Sequence, residues 1–150
     1  MPQSHSVILV HIVFSTKNRD PFLHKDMRER LYAFMGGIAR DCGSPMLDRG
    51  GVEDHVHLLC SQSRTITIAK LVEELKTRSS KWVKTLSPSF EQFRWQAGYG
   101  AFSIGRSQQE DLGRYFARQE EHHAKTDFKT EYRGLLRKYG VDYDERYVWD

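Results

Sequence analysis

PMLDRGGVEDHVHLLC, residues 45–60, holds two short apolar runs parted by a Glu-Asp pair. Such a pattern reads as two strands, 45–52 and 55–60, joined by a tight link at Glu53 and Asp54. Alternate side chains of a strand point to one face, so His55 and His57 share a face and Val56 takes the other.

The segments on either side of this pair complete a recognisable order. Upstream, residues 6–16 are rich in Val and Ile with both alternating faces largely apolar, which predicts a central strand buried on two sides. Between them, Met27, Leu31, Phe34, Met35 and Ile38 recur at helical spacing over residues 26–42, and Gly43 can end that helix. Downstream, Ile68, Leu71, Val72, Leu75, Ser79, Trp82, Val83 and Leu86 mark a long amphipathic helix whose other side carries Lys70, Lys76, Arg78, Lys81 and Lys84. Residues 93–104, aromatic and punctuated by glycine, read as a fourth strand. The order β-α-β-β-α-β predicts an α+β chain of the ferredoxin-like arrangement, with an antiparallel sheet and two helices on one face.

Two further helices follow. Ser107 and Glu110 have the spacing of a capping box, which predicts a helix from about residue 108 to 123. A last helix spans about 128–139, with Gly140 able to terminate it. On that reading Tyr115 and Gln119 lie one turn apart on one helical face.

A chain of 150 residues predicts one domain with a substantial core. Its formal net charge of +3 permits a polyanionic partner without demanding one. The two cysteines, Cys42 and Cys60, form no CxxC pair and no disulfide framework, which fits a reducing cytoplasm. The apolar run 7–14 is far too short to span a bilayer, so no membrane segment is expected.

Two imidazoles on one strand face can bind one divalent ion, although a chain with seven histidines can also show that spacing by chance. A tyrosine on a helix is most simply a core-edge residue, yet its phenol is also a nucleophile. Glu53 and Asp54 are most simply turn residues between two strands, and either could alternatively orient an imidazole. His11, in an apolar strand, reads as a hydrogen-bonded core histidine. His123, two turns beyond Tyr115 on a continuous helix, reads as too distant to share an ion, and a solvated helix end is the expected role of His122 and His123.

Taken in order, the His55-Val56-His57 strand, the basic amphipathic helix, Trp95 with Gly98-Tyr99, and the Tyr115-Phe116-Ala117-Arg118-Gln119 helix resemble the HUH single-tyrosine transposases. These belong to small bacterial insertion sequences, with relatives acting at repetitive palindromic elements. The run from His11 to Arg19 resembles the family's opening strand and turn, and Tyr143 to Tyr147 resembles endings of some members. The likeness covers nearly the whole chain.

The resemblance implies Tyr115 as nucleophile, His55 and His57 as metal ligands, and Gln119 as the third protein ligand of Mg2+ or Mn2+. It implies cleavage and rejoining of single-stranded DNA beside hairpins, through a 5′-phosphotyrosine that leaves a 3′-OH, by a homodimer. One tyrosine makes one covalent link, so two cleavages in one event call for two subunits. Lys17, Arg19, Arg78, Lys81 and Lys84 are candidate phosphate contacts, and Tyr99 and Phe102 candidate platforms for unpaired bases. Ordinary solvated or core positions describe the same residues. A silent hairpin-binding protein derived from a transposase, or a ferredoxin-like module with accidental histidines, are the alternatives.

Overall fold

In the computed structural model, which describes residues 2–150, four strands form one antiparallel sheet in the order β2-β3-β1-β4. The strands are β1 (Leu9–Ser15), β2 (Met46–Val52), β3 (His55–Ser61) and β4 (Gly100–Ile104). The helices are α1 (Lys25–Asp41), α2 (Ile68–Leu86), α3 (Gln109–Ala117), α4 (Gln119–His123) and α5 (Phe128–Lys138). Among the described residues no helix is long and apolar enough to cross a membrane.

The central pair is β1 and β3, running antiparallel with Val13 opposite His57 and Ser15 opposite His55. Every residue of β1 is buried, as its two-sided apolar pattern predicts. Pleating sorts its side chains. Val10, Ile12 and Phe14 join Val56, Leu58 and Cys60 of β3 in the larger core under α1 and α2. Helix α2 opens with Thr67 accepting a hydrogen bond from the Lys70 N–H, a side-chain cap that the sequence reading does not include.

The opposite sheet face carries Leu9, His11, Val13, His55, His57 and Leu59. It is covered by α3, α4 and α5, whose Phe116, Phe128, Tyr132 and Leu136 build two smaller clusters. The chain is therefore three-layered, with the ferredoxin-like sheet between α1–α2 and the C-terminal helices. Close packing of α3 on β2 depends on Gly50, where an added Cβ would lie 2.6 Å from the Phe116 carbonyl oxygen.

Three sequence expectations change. The fourth strand covers only residues 100–104, because the carbonyls of Gln96, Ala97 and Gly98 turn to the Lys76 ammonium at 2.7, 3.2 and 2.6 Å instead of to a neighbouring strand. Upstream, Trp95 keeps a lone bridge to Thr16. The capping box at Ser107 and Glu110 does not form. Ser107 lies inside a 3-10 turn over Arg106–Gln108, and the Gly105 N–H donates to Gln108 Oε1 at 2.8 Å. Finally, the expected helix 108–123 is two helices, broken at Arg118 (φ −100°, ψ 13°).

Candidate functional site

His55 and His57 project from β3 into the layer between the sheet and the C-terminal helices, and neither side chain has measurable exposure. Each ring is held through Nδ1. The His55 Nδ1–H donates to Asp54 Oδ1 at 2.7 Å. His57 Nδ1 lies 2.8 Å from Nε2 of His11, which is thus the hydrogen-bonded core histidine its strand context predicts. Asp54 instead acts as the imidazole-orienting acceptor and not simply as a turn residue.

With both Nδ1 atoms engaged, both Nε2 atoms face the helices. His55 Nε2 is 3.0 Å from Gln119 Oε1. The remaining partner is a residue that sequence reasoning missed. Glu131 of α5, 7% exposed, places Oε1 3.2 Å from His55 Nε2 and 3.1 Å from His57 Nε2. Its Oε2 accepts hydrogen bonds from the Gln119 amide at 3.0 Å and from the Tyr115 hydroxyl. A signal for Glu131 is present in the sequence. It sits within the buried stripe Phe128, Tyr132 and Leu136, where a carboxylate is costly unless it has partners.

The helix break at Arg118 also brings in His123. Nε2 of His123 lies 3.1 Å from Glu131 Oε1, and its ring packs 4.5 Å from that of His55. The expected solvated helix end is therefore wrong for His123, because the distance argument assumed an unbroken helix. His122 is nearer the surface, with Nε2 3.4 Å from Glu131 Oε2. Tyr115 and Gln119 converge on the cluster from α3 and α4 respectively, so they share a site without sharing one continuous helical face.

The electrostatics follow from burial and from this one carboxylate. Burial pulls the His55 pKa down, but its hydrogen bonds to Asp54 and Glu131 outweigh that and push it up to about 9. Burial dominates at His57, whose pKa falls, and at His11, which drops to about 3 with help from His57. Burial opposes ionisation of Glu131, yet the hydrogen bonds from His123, His55 and His57 prevail and hold it well below the usual carboxylate range. Burial and then the Glu131 charge push the Tyr115 phenol well above its ordinary value.

The donor set fits a divalent ion. His55, His57 and Glu131 each offer one ligand atom, all within 4.8 Å of one another, and Gln119 Oε1 adds a neutral oxygen beside them. Second partners on both imidazoles fix their orientation, as metal-binding histidines require. His122, His123 and Glu131 form a second such group on the same carboxylate.

The candidate phosphate contacts are dispersed. Lys17 is exposed in a 3-10 turn that follows β1 at the His55 end of the sheet. The Arg19 guanidinium donates to the Trp149 carbonyl at 2.8 Å. Arg78, paired with Asp41 at 3.0 Å, lies with the exposed Lys81 and Lys84 on α2, on the far side of the sheet from the histidines. Tyr99 is 36% exposed, whereas Phe102 is buried and stacked on Tyr139, so only Tyr99 is open to a base.

Comparison with known proteins places the fold and the family. Among curated proteins, none matches the chain in sequence. A Deinococcus radiodurans protein assigned as a transposase has a similar structure, with a TM-score of 0.62 and 20% identity over 79% of this chain and 98% of its own. A REP-associated tyrosine transposase solved bound to a REP hairpin has a TM-score of 0.60 and 12% identity, covering 84% of this chain and 76% of its own. At such identities the likeness shows the shared fold. The family model described as "Transposase IS200 like" matches residues 4–119, a span that includes His55, His57, Tyr115 and Gln119, and the chain belongs to that transposase family.

Proposed function

We propose that this transposase cleaves and rejoins single-stranded DNA at hairpin-flanked sites through a 5′-phosphotyrosine on Tyr115. The observation that carries the reading is the meeting of the Tyr115 hydroxyl with the buried His55, His57 and Gln119 cluster through one carboxylate.

Phosphodiester cleavage by a phenol conserves the bond energy that hydrolysis would release, so a later 3′-OH can restore DNA without ATP. A free phenol ionises near ~10 and is a poor nucleophile at neutral pH. Here the phenol hydrogen is directed at Glu131 Oε2, which fixes the position of the phenol oxygen. His55, His57 and Gln119 would hold Mg2+ or Mn2+. When bound, the ion would draw charge from the non-bridging phosphate oxygens and orient the phosphate toward the phenol. Asp54 and His11 keep both imidazoles turned inward during this. In the forward step the Tyr115 oxygen forms a bond to phosphorus and the 3′ oxygen of the preceding nucleotide leaves, taking up a proton. Attack by a 3′-OH reverses it and frees the phenol.

The similar structure carrying a REP hairpin supports a hairpin as the DNA partner. Lys17 is well placed to meet a phosphate near the site. Arg78, Lys81 and Lys84 would meet a more distant DNA arm, and Arg19 would need to leave Trp149 to take part. A homodimer supplies the two tyrosines that two cleavages require.

The test uses labelled oligonucleotides that carry palindromes from the gene's own flanks. With Mn2+, wild-type protein should release a fragment ending in 3′-OH, and His57→Ala should release none while still shifting the hairpin in a native gel. Cleavage undiminished in His57→Ala would remove the proposed metal role.

A further inference from the structure

We propose that Glu131 is the charged ligand of the divalent-metal site, together with His55 and His57, and that Gln119 serves chiefly to hold that carboxylate in place. The proposal rests on the metal-assisted reading above and changes its ligand set. Glu131 lies on α5, beyond the family-matched residues 4–119, so no family motif nominates it.

The first argument is crowding at one oxygen. Three imidazole nitrogens approach the single atom Glu131 Oε1, from His55 at 3.2 Å, His57 at 3.1 Å and His123 at 3.1 Å. A carboxylate oxygen offers about two acceptor directions. Three N–H donors on one oxygen exceed that number. Three imidazole nitrogens crowded on one buried carboxylate oxygen form an arrangement that a shared cation satisfies.

Spacing and charge agree. An octahedral ion with bonds of about 2.1 Å sets adjacent ligand atoms about 3.0 Å apart. The contacts of Glu131 Oε1 to His55 Nε2 (3.2 Å) and to His57 Nε2 (3.1 Å) are of that length. Two imidazoles and an amide would leave a buried double charge without a protein counter-charge. A carboxylate supplies one, and it is the oxygen donor that hard ions such as Mg2+ and Mn2+ favour.

The second oxygen explains Gln119. Its amide N–H donates to Glu131 Oε2, the atom that also receives the Tyr115 hydroxyl. One oxygen of Glu131 thus faces the two imidazoles, where it would hold the ion, and the other faces Tyr115, linking α5 to both.

Titration calorimetry with Mn2+ alone tests this on wild-type protein, Glu131→Gln, Glu131→Ala and Gln119→Ala. Thermal unfolding and hairpin gel shifts serve as controls of fold. Loss of a partner behind a ligand weakens metal binding about 10–100-fold. Both Glu131 variants should lose affinity beyond that range, whereas Gln119→Ala should stay within it. Equal or greater loss in Gln119→Ala would overturn the proposal. Should the Glu131 variants fail to fold, infrared difference spectra of wild-type protein with 13C-labelled glutamate carboxylates, taken with and without Mn2+, decide. A Mn2+-induced shift of a glutamate carboxylate stretch supports the proposal, and its absence overturns it. Absence of any Mn2+ binding by wild type would overturn the metal reading itself. Loss of Mn2+ affinity in Glu131→Ala, with no tyrosine adduct formed by metal-loaded wild type, would uphold the ligand and reject the phosphotyrosine.

Discussion

Asp54 shows how much of the site depends on single hydrogen bonds. Its carboxylate fixes the His55 tautomer through Nδ1, so Asp54→Ala should leave the ring free to turn and weaken Mn2+ binding about 10–100-fold, measured by calorimetry. Unchanged affinity would show that β3 and Phe128, whose ring packs 4.7 Å from that of His55, suffice to hold the ring. His55, His57, Tyr115 and Gln119 were legible because strand alternation and ordered motifs nominate them without knowledge of the fold. Glu131 and His123 were not. Their roles depend on where α5 and α4 sit over the sheet, which local periodicity does not encode. The clue at Glu131, an acidic residue in an apolar stripe, becomes informative only once that stripe is known to face the histidines.

At the scale of elements, the position of α3 depends on a close approach to β2. A methyl group at residue 50 would meet the Phe116 backbone at 2.6 Å and its Cβ at 2.8 Å. Gly50→Ala should therefore destabilise the protein by about 1–3 kcal/mol in denaturant unfolding and lower cleavage further, because Tyr115 adjoins Phe116. Helix α5 depends on Asp127, which accepts from the Thr130 N–H at 2.9 Å. Asp127→Ala should cost about 1 kcal/mol. Those hydrogen bonds hold the Asp127 carboxyl below its ordinary value, so the native state favours the ionised form. The resulting stability is fully present above the unfolded-state pKa and is lost as pH falls through the folded-state value. Unfolding curves of wild type and Asp127→Ala should accordingly converge in acid, and a gap independent of pH would contradict the assignment. The sheet and both long helices were readable from periodicity. The break at Arg118 was not, because residues 108–123 carry no proline or glycine at the kink, and the capping signal at Ser107 lost to the Gly105–Gln108 pair.

Across the whole molecule, the three-layer arrangement buries the sheet face that carries His55 and His57 and leaves the cations of α2 on the opposite side. The C-terminal helices close the site within a single chain, with the Tyr115 ring centred 5.6 Å from that of His57. That arrangement predicts how mixed subunits behave. Tyr115→Phe and His57→Ala proteins, combined, should fail to restore cleavage, because each retained group lies beside a defective partner in its own chain. Recovered cleavage would show that tyrosines are exchanged between subunits. The central claim is that Tyr115 becomes covalently joined to DNA, and one measurement addresses it directly. Flanking hairpin oligonucleotides, labelled on the 3′ side of the scissile phosphate, are incubated with wild type or Tyr115→Phe and Mn2+ and resolved on a denaturing gel. The account predicts a labelled protein–DNA band in wild type alone, abolished by chelation and mapped to Tyr115 by mass spectrometry. A hairpin bound and cleaved without that band, or an equal band in Tyr115→Phe, would contradict it.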